Sequence, residues 1–471
     1  MSRTSTIKFG IDNFAGGLNL GVDESLLKTN ESSNAENVDI STGVLQTGTG
    51  YKEYAVDKLN NIKSVMTYYR NNVPMIIVGA NGSLWKYQDN KYVFIAGGFQ
   101  SDIWDSVNYQ MFGEDVLILT NGVDNVKVYN GAIRDLKREG NGSDPNKEDN
   151  KAPKGKFVEV HYERLFICSD EYVYISKDLD FDDFTTPVDE DNVETNQHGA
   201  VIQNYTSDGS KAIGMKVVFD EIIIFKERSL YKIFGSTPSS YQISTIFSNS
   251  GAIADNSIVA TNKGAYFINN EGIYLYDGVN CNLVSQKILP LFKGVTKEFL
   301  SNACATIHNN NYVLALPSTN NKLNDYIIEY DLMDKIYTKK TGINVNRFTK
   351  ADDKTIFVND TGMYEYGEGR TYNKQNINSF WETPYSNFGY PNAIKEVSDS
   401  YVTCKGTGQI KISCTTEKKT KSKIINLTEN EKVVRVNLNN KGRLIKFRFE
   451  NIDGADFTIK NFKSIIELDE D

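Results

Sequence analysis

The chain has 471 residues, more than one hydrophobic core normally serves, and its 39% hydrophobic and 24% charged content is ordinary for a globular protein. Its net charge of −9 argues against a protein that grips nucleic acid through a basic groove, because neutralising phosphates needs clustered Lys and Arg. Its longest apolar runs span about four residues against roughly twenty for a membrane helix, and Met1 to Gly10 has no apolar core of signal-peptide length, so no membrane insertion is expected.

Residues 1–55 precede any repeat and read as an N-terminal arm. They contain Phe14-Ala15-Gly16-Gly17-Leu18-Asn19, whose Gly pair permits backbone angles closed to other residues, then Asn34 to Ile40 and Gly43-Val44-Leu45. Such an arm could close a ring by lending a strand to the last repeat.

From residue 56 a hairpin recurs: an apolar strand, a short turn rich in Asn and Gly, and a Tyr-rich strand. In chain order the apolar strands are Met75 to Val78, Val116 to Leu119, Arg164 to Ile167 and Ile222 to Phe225. Ala265 to Ile268, Tyr312 to Leu316 and Thr355 to Val358 follow. The fifth copy is the cleanest: in Ile273-Tyr274-Leu275-Tyr276, a period of two puts both Tyr rings on one face. Most hairpins follow a further strand-like stretch, such as Ile62 to Tyr69, Phe157 to Tyr162 and Ala212 to Phe219. Sandwich strands recur every 8–12 residues without a longer period, whereas a unit of about 45 residues is a propeller blade. The sequence therefore predicts an all-β protein, a β-propeller of about six or seven blades over residues 56–376.

Gly140 to Gly155 is polar and reads as a long loop. From residue 377 the rhythm changes, and Tyr401 to Cys404, Ile410 to Cys414, Val433 to Leu438, Leu444 to Phe449 and Phe457 to Phe462 predict an appended C-terminal antiparallel β-sandwich over 377–471. Its cationic hairpin, Lys418 to Lys423, reads as a solvated loop that blunts an edge, with a polyanion contact as the sharper alternative.

Chemistry is sparse. His161, His198 and His308 sit in no ligand spacing, and no nucleophile elbow or phosphate loop occurs. Asp178, Asp180 and Asp182 alternate as calcium ligands do, but Asp183 occupies the sixth position where Gly belongs, so an acidic solvated loop is expected. Ser207-Asp208-Gly209 is similar to the Asp-box turn of sialidase propellers but lacks the following Trp and reads as a turn. The five cysteines (Cys168, Cys281, Cys304, Cys404, Cys414) are odd in number and scattered, which suits a reducing compartment of synthesis. Cys404 and Cys414 could lie on neighbouring strands, as buried thiols rather than a bridge. No enzyme, cofactor or metal is expected.

The motifs of the arm, together with Tyr172-Val173-Tyr174-Ile175-Ser176, Asp180 to Phe184, Phe380-Trp381, Phe388-Gly389, Pro391 and Lys395, resemble those of bacteriophage tail β-propeller proteins of the hub, nozzle or packaged-DNA stabilisation type. Thr47 and Thr49 stand where that family usually carries Arg. The resemblance implies a virion tail component assembled in the bacterial host cytoplasm. Its partners would be copies of itself in a ring, a portal or adaptor protein, and DNA in transit. Phe14, Gly16, Gly17, Leu18 and Asn19 would then be candidates for an assembly-contact arm. A receptor- or glycan-binding propeller of a baseplate or tail tip is the alternative, and a glycan-active enzyme a third.

Overall fold

The computed structural model describes residues 5–111, 113–137, 153–186, 198–205, 209–248 and 250–469. Seven antiparallel sheets follow one another along the chain from residue 62 to residue 366. Sheet 1 is a four-stranded meander of Ile62–Arg70, Val73–Ala80, Ser83–Gln88 and Lys91–Gly97. Sheets 2 to 6 repeat that order, opening with the strands Asp105–Met111, Phe157–His161, Ala212–Val218, Val259–Thr261 and Cys304–His308. Sheet 7 has Arg347–Ala351, Lys354–Asn359 and Gly362–Tyr366. Its fourth strand is Tyr51–Glu53 from the other end of the sequence, with Tyr51 opposite Tyr366 and Glu53 opposite Tyr364. Thr371–Tyr372, parallel to it, and Gln375–Asn376 bring the sheet to six strands.

The second strand of each sheet is buried on both faces, and period two divides its side chains between two neighbours. In Glu221–Lys226, Ile222 and Ile224 join a core cluster with Phe166 and Val173 of sheet 3. Ile223 and Phe225 join another with Ala265 and Phe267 of sheet 5. The same division recurs between every successive pair, and Ile76 and Val78 of sheet 1 pack with Ile356 and Val358 of sheet 7. First strands touch first strands in the same order, ending with Arg347–Ala351 against Ile62–Arg70. The arrangement is propeller-like. Each fully buried aliphatic or aromatic side chain in such a seam contributes about 1.5–3 kcal/mol.

Turn chemistry explains the registers. Asn71-Asn72 and Asn309-Asn310 hold φ of 50° and 61°, and 46° and 62°, the left-handed pair that a two-residue hairpin requires. Asn269 works differently: its side-chain oxygen accepts from the N–H groups of Glu271 and Gly272 at 2.7 and 3.2 Å.

Eleven further strands form two facing sheets, and Gly17–Leu18 pairs in parallel with Glu31–Ser32. One is ordered Lys432–Gly442, Ile394–Gly406, Phe457–Asp469, Leu45–Thr47, Val38–Asp39, with Ser5–Ile11 also paired to Phe457–Asp469. The other is Asn34–Glu36, Phe380–Glu382, Ile445–Ile452, Gln409–Thr416, Thr420–Asn426. Residues 5–47 thus supply strands to both sheets, and residues 51–53 supply one to sheet 7, so sequence segments and spatial bodies do not coincide. Cys404 and Cys414 lie in opposite sheets, both buried and free, rather than on adjacent strands. The expected loop at Gly140 to Gly155 falls largely, and Ser207 and Asp208 wholly, outside the described residues.

Candidate functional site

The first strands of the seven sheets touch in succession around a common axis and are linked to one another by polar side chains. The hydroxyls of Thr67 and Thr349 lie 2.9 Å apart, joining sheets 1 and 7. The Val158 N–H donates to the Asp105 carboxylate at 3.0 Å, joining sheets 3 and 2. Lys216 of sheet 4 meets Glu159 of sheet 3 at 2.5 Å. Arg347 of sheet 7 reaches to 3.5 Å from Asp255, in the single turn before the first strand of sheet 5.

Burial pushes Asp105 and Glu159 above the usual carboxylate range, against the pull of Lys216. Burial would lower Lys216, but Glu159, Asp105 and Asp255 together hold its ammonium above the ordinary value. At Asp255 the balance reverses, since burial is outweighed by Arg347, Asn256 and Lys156, and its carboxyl sits low.

Two adjoining cavities open along the axis. The smaller, about 280 Å³, is bordered by Trp104, Asp105, Met215 and Lys216. The larger, about 600 Å³, draws Lys63, Lys156, Lys297, Lys322 and Arg347 together with Glu227 and Asp255. Ile103, Lys156 and Asp255 border both. Four of the five cations have carboxylate neighbours: Lys63 with Asp360 at 2.6 Å, Lys297 with Glu227 at 3.2 Å, Lys322 with Glu298 at 3.0 Å, and Arg347 as above. Lys156 stands over the Phe157 ring at 4.9 Å. The arrangement can bind and orient a charged ligand.

The five residues of the candidate arm contact are spent within the chain. Phe14 is fully buried in the two-sheet body, edge-on to Trp381 at 5.1 Å. Leu18, four residues later, is buried in the cluster between sheets 5 and 6. Gly16 passes so close to Asn30 that a Cβ would lie 2.3 Å from its carbonyl oxygen, and Gly17 holds φ +76°. Asn19, also buried, donates to Glu31 at 3.1 Å. The segment fastens the two bodies of one chain to each other.

The other sequence candidates are scattered. In the acidic loop, Asp182 pairs with Arg134 and accepts from the Lys137 N–H at 3.0 Å, while Asp183 accepts from Thr185 at 2.9 and 2.6 Å. The carboxylates of Asp182 and Asp183 thus turn to protein partners, and no group of three His, Cys, Asp or Glu among the described residues is placed to hold a metal. His161 contacts Asp220 and His308 contacts Thr355, on different sheets. Burial pushes the Cys168, Cys304 and Cys414 thiols up to about 12. In the cationic hairpin the Lys421 ammonium caps the Asn439 carbonyl, and from the facing sheet Lys432 caps Asn426 at 2.9 Å. Two sheet edges are blunted that way.

The axial charges were not singled out from sequence. A signal existed: Glu159 interrupts Val158 and Val160, and Lys216 interrupts Met215 and Val217. A lone charge in an apolar first strand faces whatever that strand does not pack against, and here that is the axis.

No family model and no curated protein matches the sequence. Among solved structures, the chain is similar to the extracellular domain of a hybrid two-component system from B. thetaiotaomicron (TM-score 0.44, 9% identity, 82% of this chain and 47% of that one). It is also similar to PorZ, a surface component of the type-IX secretion system of Porphyromonas gingivalis (TM-score 0.38, 9% identity, 83% and 46%). A third is the dihydro-heme d1 dehydrogenase NirN (TM-score 0.38, 10% identity, 82% and 80%). The chain spans about half the length of the first two. At these scores the likenesses lend nothing to an argument about function.

Proposed function

We propose that this protein is a structural component of a bacteriophage virion tail: a closed seven-bladed propeller with a β-sandwich, of hub or nozzle type, whose copies form a ring around the path of DNA near the portal. The observation that carries the reading is the stitching of the chain. Residues 5–53 pair with the seventh sheet and with both sheets of the sandwich, which joins the two bodies without a hinge of free linker. A part that must hold shape while DNA is retained and then ejected needs that rigidity more than a mobile site.

The conduit in this reading lies between copies. The axis of one chain holds cavities of about 280 and 600 Å³, too small for a duplex whose major groove alone is about 12 Å wide. With a net charge of −9 the protein would not hold the duplex by counterion release, so DNA could slide. The test is imaging of the purified chain, alone and mixed with a portal–adaptor complex. Rings, or docking onto that complex, are expected. A strictly monomeric chain that ignores the complex would overturn the reading.

A further inference from the structure

We infer that the larger axial cavity is a binding site for a small multivalent oxyanion, carrying phosphate or carboxylate groups. Its volume of about 600 Å³ is within the range of small-ligand pockets. Five cations border it against two carboxylates, Glu227 and Asp255, in a chain whose net charge is −9. Asp360, Glu227 and Glu298 neutralise Lys63, Lys297 and Lys322, so the charge left over rests on Arg347 and Lys156, which share Asp255. Low-dielectric walls around such a cleft focus its field on whatever enters.

Arg347 gives the site its specificity. Its side chain is only 12% exposed, yet among the described residues its guanidinium makes no hydrogen bond, and its nearest carboxylate oxygen, on Asp255, is 3.5 Å away. A guanidinium has five N–H donors in a planar fork, and those of Arg347 border the cavity without a hydrogen-bonding protein acceptor among the described residues. An oxyanion at the cavity wall would take two of them side by side. The exposed Lys156, which stands over the Phe157 ring and acts on Asp255 without a salt bridge among the described residues, can swing its ammonium onto the same ligand.

The experiment is calorimetric titration of the full chain with pyrophosphate and, separately, with citrate, at low ionic strength. At least one should bind at one per chain, with affinity falling as salt is added. Which of the two binds separates a phosphate ligand from a carboxylate one. Arg347→Gln and Lys156→Gln should each weaken binding about tenfold or more, while Lys8→Gln, on an exposed strand of the sandwich, should leave it unchanged. Lys156 is exposed, so its variant reports on the site even if the Arg347 variant folds poorly. Absence of binding by both anions, or binding that survives both substitutions, would overturn the inference.

Discussion

The side-chain oxygen of Asn37 accepts the backbone N–H of Thr341 at 2.8 Å, while the Asn37 N–H donates to the Lys339 carbonyl at 2.8 Å, so one residue of the N-terminal arm pairs with the outer strand of sheet 6 as a strand would. The same oxygen also accepts the Tyr372 hydroxyl at 2.9 Å, and the amide nitrogen donates to Asn378 at 2.8 Å. Asn37 does this at φ 58°, where Asn is tolerated better than most residues. Asn37→Ala should cost about 3 kcal/mol or more, from buried groups left unpaired and from the left-handed backbone. Asn37→Gly should recover only the backbone part. Urea unfolding of the three proteins checks the order.

Phe14 offers a second test of the stitching. It is fully buried and edge-on to both Trp381 and Phe449, at 5.1 and 6.1 Å. Phe14→Ala should destabilise by about 3–5 kcal/mol. If residues 5–53 hold the two bodies together, unfolding should also lose its single transition, so that near-ultraviolet dichroism and intrinsic fluorescence give different midpoints. Coincident midpoints with an unchanged stability would show that the arm matters less than its burial implies.

Two hairpins carry the wrong residues for their turns. Tyr162-Glu163 in sheet 3 and Phe219-Asp220 in sheet 4 hold φ of 45° and 56°, and 50° and 61°, the angles that Asn-Asn holds in sheets 1 and 6. Both rings are exposed, Tyr162 by 61% and Phe219 by 47%, so little burial offsets the strain. Phe219→Asn should therefore stabilise the protein by about 1 kcal/mol. Thermal melting settles it: a lower midpoint would mean that the contact of the ring with Gly278 outweighs the turn.

The repeat was legible because second and third strands are long, apolar and separated by turn residues with a mechanism. First strands were read where they are apolar, as in Ile62–Arg70, and missed where polar residues face the axis, as in Asp105–Met111 and Arg347–Ala351. Outer strands such as Lys91–Gly97 are half exposed and carry no clear alternation. The arm was read as one unit because its strands are only two to seven residues long, and nothing local says which of two bodies each will join. The axial site was illegible for a related reason. Its five cations come from sequence positions between 63 and 347, and only closure of the sheets brings them together.

The pH dependence of stability should centre on the buried pair Lys340 and Glu329. Lys340 is 2% exposed and donates to Glu329 at 3.0 Å, to Thr49 at 2.9 Å and to the Tyr366 hydroxyl at 3.1 Å. Burial would raise the Glu329 carboxyl, but Lys340, Tyr366 and Thr338 outweigh it and hold the folded value below the ordinary 4.5. A carboxyl depressed by folding contributes stability that is fully present above its unfolded value and is lost as pH falls through the folded one. Lys340→Met leaves Glu329 buried without its cation and should cost about 3–5 kcal/mol near neutrality. That gap should narrow as pH falls, starting above 4.5, because burial without the cation makes Glu329 take its proton earlier in the variant, while the wild-type carboxylate stays charged until its depressed folded value is reached. Glu329→Gln in the Lys340→Met background should restore part of the loss at neutral pH by removing the unpaired charge. Urea unfolding from about pH 7 down to pH 3 would show it, and a gap that stays constant across that range would exclude this pair as the origin of the acid sensitivity.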